Sequence, residues 1–342
     1  MSETWNLFHK ALEQIGVRGV ATELGIHVGT VKRWLELESV PDQYWFDFAR
    51  ILCINVDYTD FTPKEKDQFF TNASTAATCY GKMLTVLADH GIETEDYTYI
   101  EPAAGCGSFY SLLPADRRIG IDIEPMVDGV FKHDFLTWNP PEGRYITIGN
   151  PPFGLRGHLA LKFINKAAQF SDFVAFIVPQ LFASNGKGSC KSRVRGMNLI
   201  HNELIDTSFF YPDGTDVSVN VVFQIWAKNI ESSEVTYDLS DRMKVLSLSD
   251  GGTPGSTRNK AMLDKCDYYL PSTVFGADAI RLYDTFEDLP LRRGYGIVTD
   301  DSEIRQVIEQ TDWSEVAFCS TNGAYNIRTD LIVNHIGQLL AP

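Results

Sequence analysis

From Tyr80 onward the sequence alternates helix-like and strand-like segments, and that alternation leaves few ways to fold. An amphipathic stretch at 79–90 precedes short apolar runs at 97–101, 118–123, 145–149, 173–178 and 219–226. Helical patterns at 107–113 and 158–169 separate some of them. Strands divided by helices cannot pair as hairpins, so the pattern predicts a mainly parallel sheet with helices on both faces. The end of the series differs. "TSFFYPDGTDV" and "SVNVVFQIWAK" (207–228) have no helix between them, which predicts an antiparallel hairpin at the sheet edge. The expected class is α/β, with a Rossmann-like sheet.

Two further parts flank this series. Residues 7–53 read as a small helical unit. Ala21, Gly25, Val31 and Trp34 stand at the offsets of a helix-turn-helix, with Gly25 where the turn needs a positive φ. Leu24, Ile26, Val31 and Trp34 would form the apolar seam. "GIHVGTVKRWLE" (25–36) resembles the recognition half of bacterial and phage repressor motifs, exposing His27, Val28, Gly29, Lys32 and Arg33. Lys32 and Arg33 are its candidate DNA contacts. Residues 54–75, polar and containing Pro63, read as a linker. Residues 231–342 are acidic and mixed in pattern, with an expected exposed loop at 249–260 ("SDGGTPGSTRNK"). The expected domains are 1–56, 62–230 and 231–342.

Composition narrows the class. In 342 residues no run of eighteen apolar residues occurs, which argues against a membrane-spanning helix. The polar start lacks the features of a signal peptide, so a cytoplasmic location in a bacterial or phage-infected cell is expected. The six cysteines form no CxxC, which argues against a zinc ribbon or disulfide framework and for a reducing compartment. No metal is expected. The net charge of −15 argues against nucleic-acid binding when taken alone. Its distribution argues the other way: residues 151–210 carry seven Lys and Arg against three Asp and Glu. Within them "NGKGSCKSRVRG" (185–196) holds Lys187, Lys191, Arg193 and Arg195, a candidate basic loop for clamping phosphates.

Four short motifs carry chemistry. In "YIEPAAGCGSFY" (99–110) a strand ends in Glu101 and a Gly-containing loop follows, offering backbone N–H groups at the strand's carboxyl end. It is neither a full dinucleotide fingerprint nor a P-loop. "RIGIDIEP" (118–125) ends a strand in Asp122 and Glu124, and a carboxylate there can accept from a ribose diol. "HDFLTW" (133–138) is the third. In "YITIGNPPFG" (145–154) a strand runs into Asn150-Pro151-Pro152-Phe153. Two prolines fix φ and remove two donors, leaving the Asn150 side chain and the Pro151 carbonyl as rigid acceptors beside an aromatic ring. That turn suits a planar exocyclic amine.

The order EPAAGCG…GIDIEP…HDF…GNPPFG resembles S-adenosylmethionine-dependent methyltransferases that modify adenine at N6 in DNA. "KDQFFTNASTAATCYGKM" (66–83) resembles that group's N-terminal cofactor motif, with Thr71-Asn72 in place of Thr-Pro. The likeness covers about residues 66–228. It implies a Rossmann-like methyltransferase domain with S-adenosylmethionine as cofactor. By position it implies that Phe70, Thr71, Ala103 and the Gly105–Gly107 loop meet the cofactor, its methionine part facing Thr71 and the loop, with Glu101 nearby. Asp122 would hold the ribose, Ile123 would pack on the cofactor adenine, and Asp134 and Phe135 would accept from and cover that adenine's amine. Asn150 and the Pro151 carbonyl would grip the target amine and Phe153 would stack on the target base, which must be flipped out of a duplex.

Duplex DNA is the expected partner. The alternatives are an RNA adenine-N6 methyltransferase and a catalytically inactive nucleic-acid-binding protein of the same fold. A cytosine-C5 enzyme is excluded, because no Pro-Cys dipeptide exists to supply its nucleophile. No PD…ExK nuclease pattern occurs, which suggests an orphan enzyme. Residues 231–342 stand where a target-recognition domain would. Loss of residues 1–56 is expected to lower affinity and leave the methylated motif unchanged.

Overall fold

A computed structural model describes residues 2–184, 189–232, 234–248, 260–275, 280–287, 289, 293–319 and 323–341. The expected loop at 249–260 lies outside these, apart from Lys260. Two compact units form: 1–177 with 207–218, and 178–206 with 219–342. This division differs from the expected boundaries near 56 and 230.

The first unit begins with helices α1 (Glu3–Glu23), α2 (Val28–Leu37) and α3 (Trp45–Ile51). Gly16 interrupts α1 with non-helical dihedrals. Between α1 and α2 the chain turns at Gly25, whose φ of +61° is costly for any residue with a Cβ. Phe8, Ala21, Leu24, Val31, Trp34 and Phe48 form a buried seam, and Ile26 packs half-buried against it. The expected outer face is exposed at His27, Gly29, Lys32 and Arg33 and half-buried at Val28. His27 caps α2, its Nδ1 accepting from the Gly29 N–H at 3.0 Å.

Next come β1 (Phe70–Thr71), α4 (Ala73–Asp89), β2 (Thr98–Glu101), β3 (Arg118–Asp122), β4 (Val130–Lys132), β5 (Tyr145–Gly149), α5 (His158–Ala167) and β6 (Phe173–Pro179). Of the strands that follow, β7 (Asn198–Ile205) and β10 (Val221–Ala227) belong to the second unit, and β8 (Ser208–Phe210) and β9 (Asp216–Ser218) belong to this one. A seven-stranded sheet has the order β4-β3-β2-β5-β6-β10-β7. The pairs from β4 to β6 are parallel, and β10 and β7 are antiparallel. Every residue of β5 and β6 is buried, as strands covered on both faces must be. This is the expected Rossmann-like α/β class. The chain runs from β2 to β3 on one side, and β5 lies on the other. That reversal opens a crevice at the carboxyl ends of these strands.

Two local expectations are corrected. The helix expected at 107–113 is a single 3-10 turn, Tyr110–Leu112. The edge hairpin pairs the second of the segments at 207–228, as β10, with β7 rather than with the first segment. "NLIHNELI" lacks strict alternation, so its pattern does not announce β7 as a strand. Residues 207–217 instead form β8 and β9 beside β1 in a separate three-stranded sheet.

In the second unit, β11 (Lys244–Leu248), β12 (Tyr268–Pro271) and β14 (Gly294–Val298) form one antiparallel sheet. β13 (Thr273–Phe275), β15 (Phe318–Cys319) and β16 (Ala324–Asn326) form another. Helices α6 (Lys260–Leu263), α7 (Ser302–Gln310), α8 (Trp313–Val316) and α9 (Thr329–Leu340) complete the mixed pattern. Ile297, Ile304, Ile308, Trp313, Ile332 and Ile336 make its core. No helix among the described residues is long and apolar enough to cross a membrane.

Candidate cofactor and substrate cleft

The carboxyl ends of β2, β3 and β5 open into a cleft in the first unit. Its first wall is the glycine loop. The Gly105 N–H donates to Asp122 Oδ2 at 2.7 Å, and the Glu124 N–H donates to Asp122 Oδ1 at 2.8 Å. One carboxylate therefore ties the loop after β2 to the end of β3. Gly105 has a φ of +49°, and a Cβ there would lie 2.8 Å from the Phe70 ring. Only glycine lets that loop lie against Phe70. Burial pushes the Asp122 carboxyl up, against the pull of the two N–H donors. Glu124 is paired with Lys66 Nζ at 2.5 Å.

The second wall comes from Ile123, His133, Asp134, Phe135 and Phe163. Asp134 is held at both oxygens, by the Leu136 N–H at 2.9 Å and by Arg50 Nε at 2.8 Å. Phe135 stacks on Phe163 with centroids 5.2 Å apart.

The third wall is the proline turn after β5. Asn150, Pro151 and Pro152 line the cleft. Asn150 Oδ1 is buried and accepts no hydrogen bond. Behind the turn, Asp67 Oδ2 accepts the Gly154 N–H at 2.6 Å. The Phe153 carbonyl accepts from the Leu159 and Ala160 N–H groups at 3.1 and 3.2 Å, which starts α5. Burial pushes the Asp67 carboxyl up, while the Gly154 and Phe153 N–H groups pull it down. The turn is thus fixed by groups distant in sequence as well as by its prolines.

Of the residues singled out in the sequence, the cleft brings together Phe70, Ala103, Gly105, Asp122, Ile123, Asp134, Phe135, Asn150, Pro151 and Pro152. Thr71, Glu101, Gly107 and Phe153 stand outside its lining. The Thr71 carbonyl accepts from Ser108 Oγ at 2.6 Å. Phe153 is 3% exposed and meets Phe69 edge-on, with centroids 4.9 Å apart. The expected stacking face is covered, and the ring lining the cleft here is Phe69. Lys66, Asp67, Gln68 and Phe69 fall in the stretch read as linker and open the segment 66–83 that resembles a cofactor motif, but the sequence singles out none of the four as a site residue.

Glu101 lies behind the glycine loop, 2% exposed, with Oε2 unpartnered. Burial raises its carboxyl well above the ordinary range, although the Tyr110 and Phe109 N–H groups oppose this and Asp122 adds to it. A raised folded-state pKa gives stability that is complete below the unfolded value and is lost as pH rises through the folded one. Glu101→Gln should therefore raise the melting temperature at pH 8 and give no gain at pH 4. A gain of equal size at both would contradict this account.

The basic residues lie elsewhere. Lys32 and Arg33 are exposed on α2. Lys187 is outside the described residues. Lys191 corrects the expected clamp: its side chain is 8% exposed, and Nζ is committed to Glu234 at 2.5 Å. Arg193 folds back onto its own turn, Nε donating to the Ser189 carbonyl at 3.2 Å. Arg195 is exposed. Among the described residues no group of three or more His, Cys, Asp or Glu could hold a metal ion.

No protein-family model and no curated protein matches the chain. Solved structures resemble it. One is a candidate RNA methyltransferase from Pyrococcus horikoshii, 22% identical, covering 48% of this chain and 87% of its own, with a TM-score of 0.38. A second is the 23S rRNA methyltransferase ErmE, 15% identical, covering 49% and 72%, with a TM-score of 0.32. A third is the modification subunit of a candidate type I restriction enzyme from Vibrio vulnificus, 9% identical, covering 85% and 65%, with a TM-score of 0.33.

Proposed function

We propose that the chain is an S-adenosylmethionine-dependent methyltransferase that modifies the N6 amine of adenine in duplex DNA. The observation that carries the reading is Asn150 Oδ1, a buried acceptor at the cleft with no partner. Leaving such a group unsatisfied costs about 1–3 kcal/mol, which a ligand N–H would recover.

The cleft fits the cofactor. Ile123 offers an apolar face for an adenine, Phe135 lines the cleft at 1% exposure, and Asp134 offers an acceptor for the adenine's amine. The acidic end of β3 suits a ribose diol. Both Asp122 oxygens already accept a backbone N–H, and each retains a lone pair. The absence of a Cβ at Gly105 leaves room against Phe70. When bound, S-adenosylmethionine supplies an electrophilic methyl on a sulfonium.

The protein's part is positioning. An adenine amine is a poor nucleophile because its lone pair is delocalised into the ring. Asn150 Oδ1 and the Pro151 carbonyl would draw its hydrogens and favour a tetrahedral nitrogen. Asp67 and the two prolines hold these acceptors in place, so little reorganisation is needed during reaction. Phe69 would flank the flipped base in place of Phe153.

Lys32 and Arg33 on the outer face of α2 support duplex DNA, and the 231–342 part is proposed to read the flanking bases. The test is methyl transfer from labelled cofactor to matched duplex DNA, single-stranded DNA and RNA. Preference for duplex DNA, with N6-methyladenine as product, is the expected result. Preference for RNA would replace the substrate but keep the reaction. Cofactor binding with no transfer to any of them would favour the inactive binding protein.

Replacing Lys187, Arg193 and Arg195 of the basic loop by Ala should weaken DNA binding at all sequences alike. It should flatten log K against log salt by up to about 0.9 for each phosphate no longer neutralised. Lys191→Met should instead lower the melting temperature and leave the slope unchanged, because its charge is spent on Glu234. An unchanged slope in the triple variant would return the loop to ordinary solvated surface.

A further inference from the structure

Helix α3 touches one residue of the cleft lining, Asp134, through Arg50, and Asp47 on the same helix holds Arg50. Asp47 is 3% exposed. Its Oδ2 pairs with His158 Nε2 at 2.8 Å, and its Oδ1 accepts from Lys162 Nζ at 2.7 Å and from Arg50 Nη1 at 3.3 Å. Burial opposes the charge on Asp47, yet the His158 hydrogen bond and the Lys162 charge hold its carboxyl far below the usual range. The cluster therefore keeps an anion that orients Arg50. The other side of the guanidinium, Nε, donates to Asp134 Oδ2 at 2.8 Å. With the Leu136 N–H on Oδ1, the Asp134 carboxylate has a fixed rotamer and a cation at its side.

We propose that Arg50 is a positioning residue that, through Asp134, makes the cofactor pocket select a 6-amino purine over a 6-oxo purine. The inference rests on the proposed function, in which Asp134 faces the cofactor's adenine. An ionised carboxylate can only accept hydrogen bonds, so it pairs with an amine and repels a carbonyl oxygen. A carboxylate freed from Arg50 can turn away from the purine, and the acceptor is then no longer held at its 6 position. Selection thus depends on a residue in the N-terminal helical unit, outside every motif of the cleft.

The test is calorimetric binding of S-adenosylhomocysteine and S-inosylhomocysteine, which differ at the purine 6 position and in the proton that the 6-oxo form carries on N1. Wild type should prefer the adenosyl compound by at least about tenfold, as sites built around a specific hydrogen bond do. Arg50→Met should lose most of that preference. In an Asp134→Asn background the same substitution should change nothing further, because the amide has already removed the acceptor-only group. Arg50→Gln keeps a donor without the charge and serves as the second variant if Arg50→Met does not fold. It should also narrow the preference. An undiminished preference in the Arg50 variants, or an equal loss for both nucleosides, overturns the inference and leaves the methyltransferase reading standing. Failure of the wild type to bind either compound overturns both.

Discussion

Asn150→Ala should lower methyl transfer by about 10²–10³-fold, the usual cost of removing one preorganised polar group that acts in the transition state. Cofactor affinity should change by less than about twofold, because Asn150 acts on the target amine. Its Oδ1 has no partner inside the protein, so the substitution breaks no internal bond of that oxygen and should leave the fold intact. Single-turnover transfer and calorimetric binding of S-adenosylhomocysteine measure the two effects separately. Retention of more than about a tenth of wild-type turnover, a barrier change under roughly 1.4 kcal/mol, would remove Asn150 from the reaction. Loss of cofactor affinity in step with turnover would place it in the wrong half of the cleft.

Asp47→Ala should be among the most damaging substitutions for stability. It leaves Lys162, Arg50 and His158 around a vacated anion site. Breaking a buried charge cluster by removing one partner costs about 3–5 kcal/mol. The pH dependence follows from the depressed pKa of Asp47. A folded-state pKa below the unfolded value gives stability that is present above the unfolded pKa and lost as pH falls. The gap in melting temperature between wild type and Asp47→Ala should be wide at pH 7 and should begin to close only below the ordinary carboxylate pKa, with much of it still present at pH 3. A gap that stays constant with pH would show that packing, not charge, sets the cost. The same cluster revises the expectation for residues 1–56. Their removal takes away Asp47 and Arg50, so the truncated chain should bind cofactor poorly as well as DNA. Unimpaired cofactor affinity in a folded truncation would restore the expectation of a separable unit.

The sequence alone determines those features that are set within a few residues. β5 is legible at Tyr145–Gly149, because a short, largely apolar run between Arg144 and the Asn-Pro-Pro turn is too brief for a helix. The turn at Gly25, the seam of Val31 and Trp34, and the rigid Asn150-Pro-Pro turn are legible for the same reason. Phe70, Gly105, Asp122, Asp134 and Asn150 stand out by local spacing, and the fold gathers them into one cleft. Only the tertiary structure decides what covers what. Phe153 reads as a stacking face, but Phe69 closes over it. Lys191 reads as a free cation, but Glu234, 43 residues away, neutralises it. The stretch from Lys66 to Phe69 opens the segment that resembles a cofactor motif, but its meeting with Glu124 and Gly154 is announced by no local pattern. The Asp47–His158 pair spans 111 residues, and Arg50 reaches Asp134 across 84. Polar partners at such separations leave no periodicity behind. Burial makes them necessary, since a charge taken from water must find another, and only the folded chain shows which one it found.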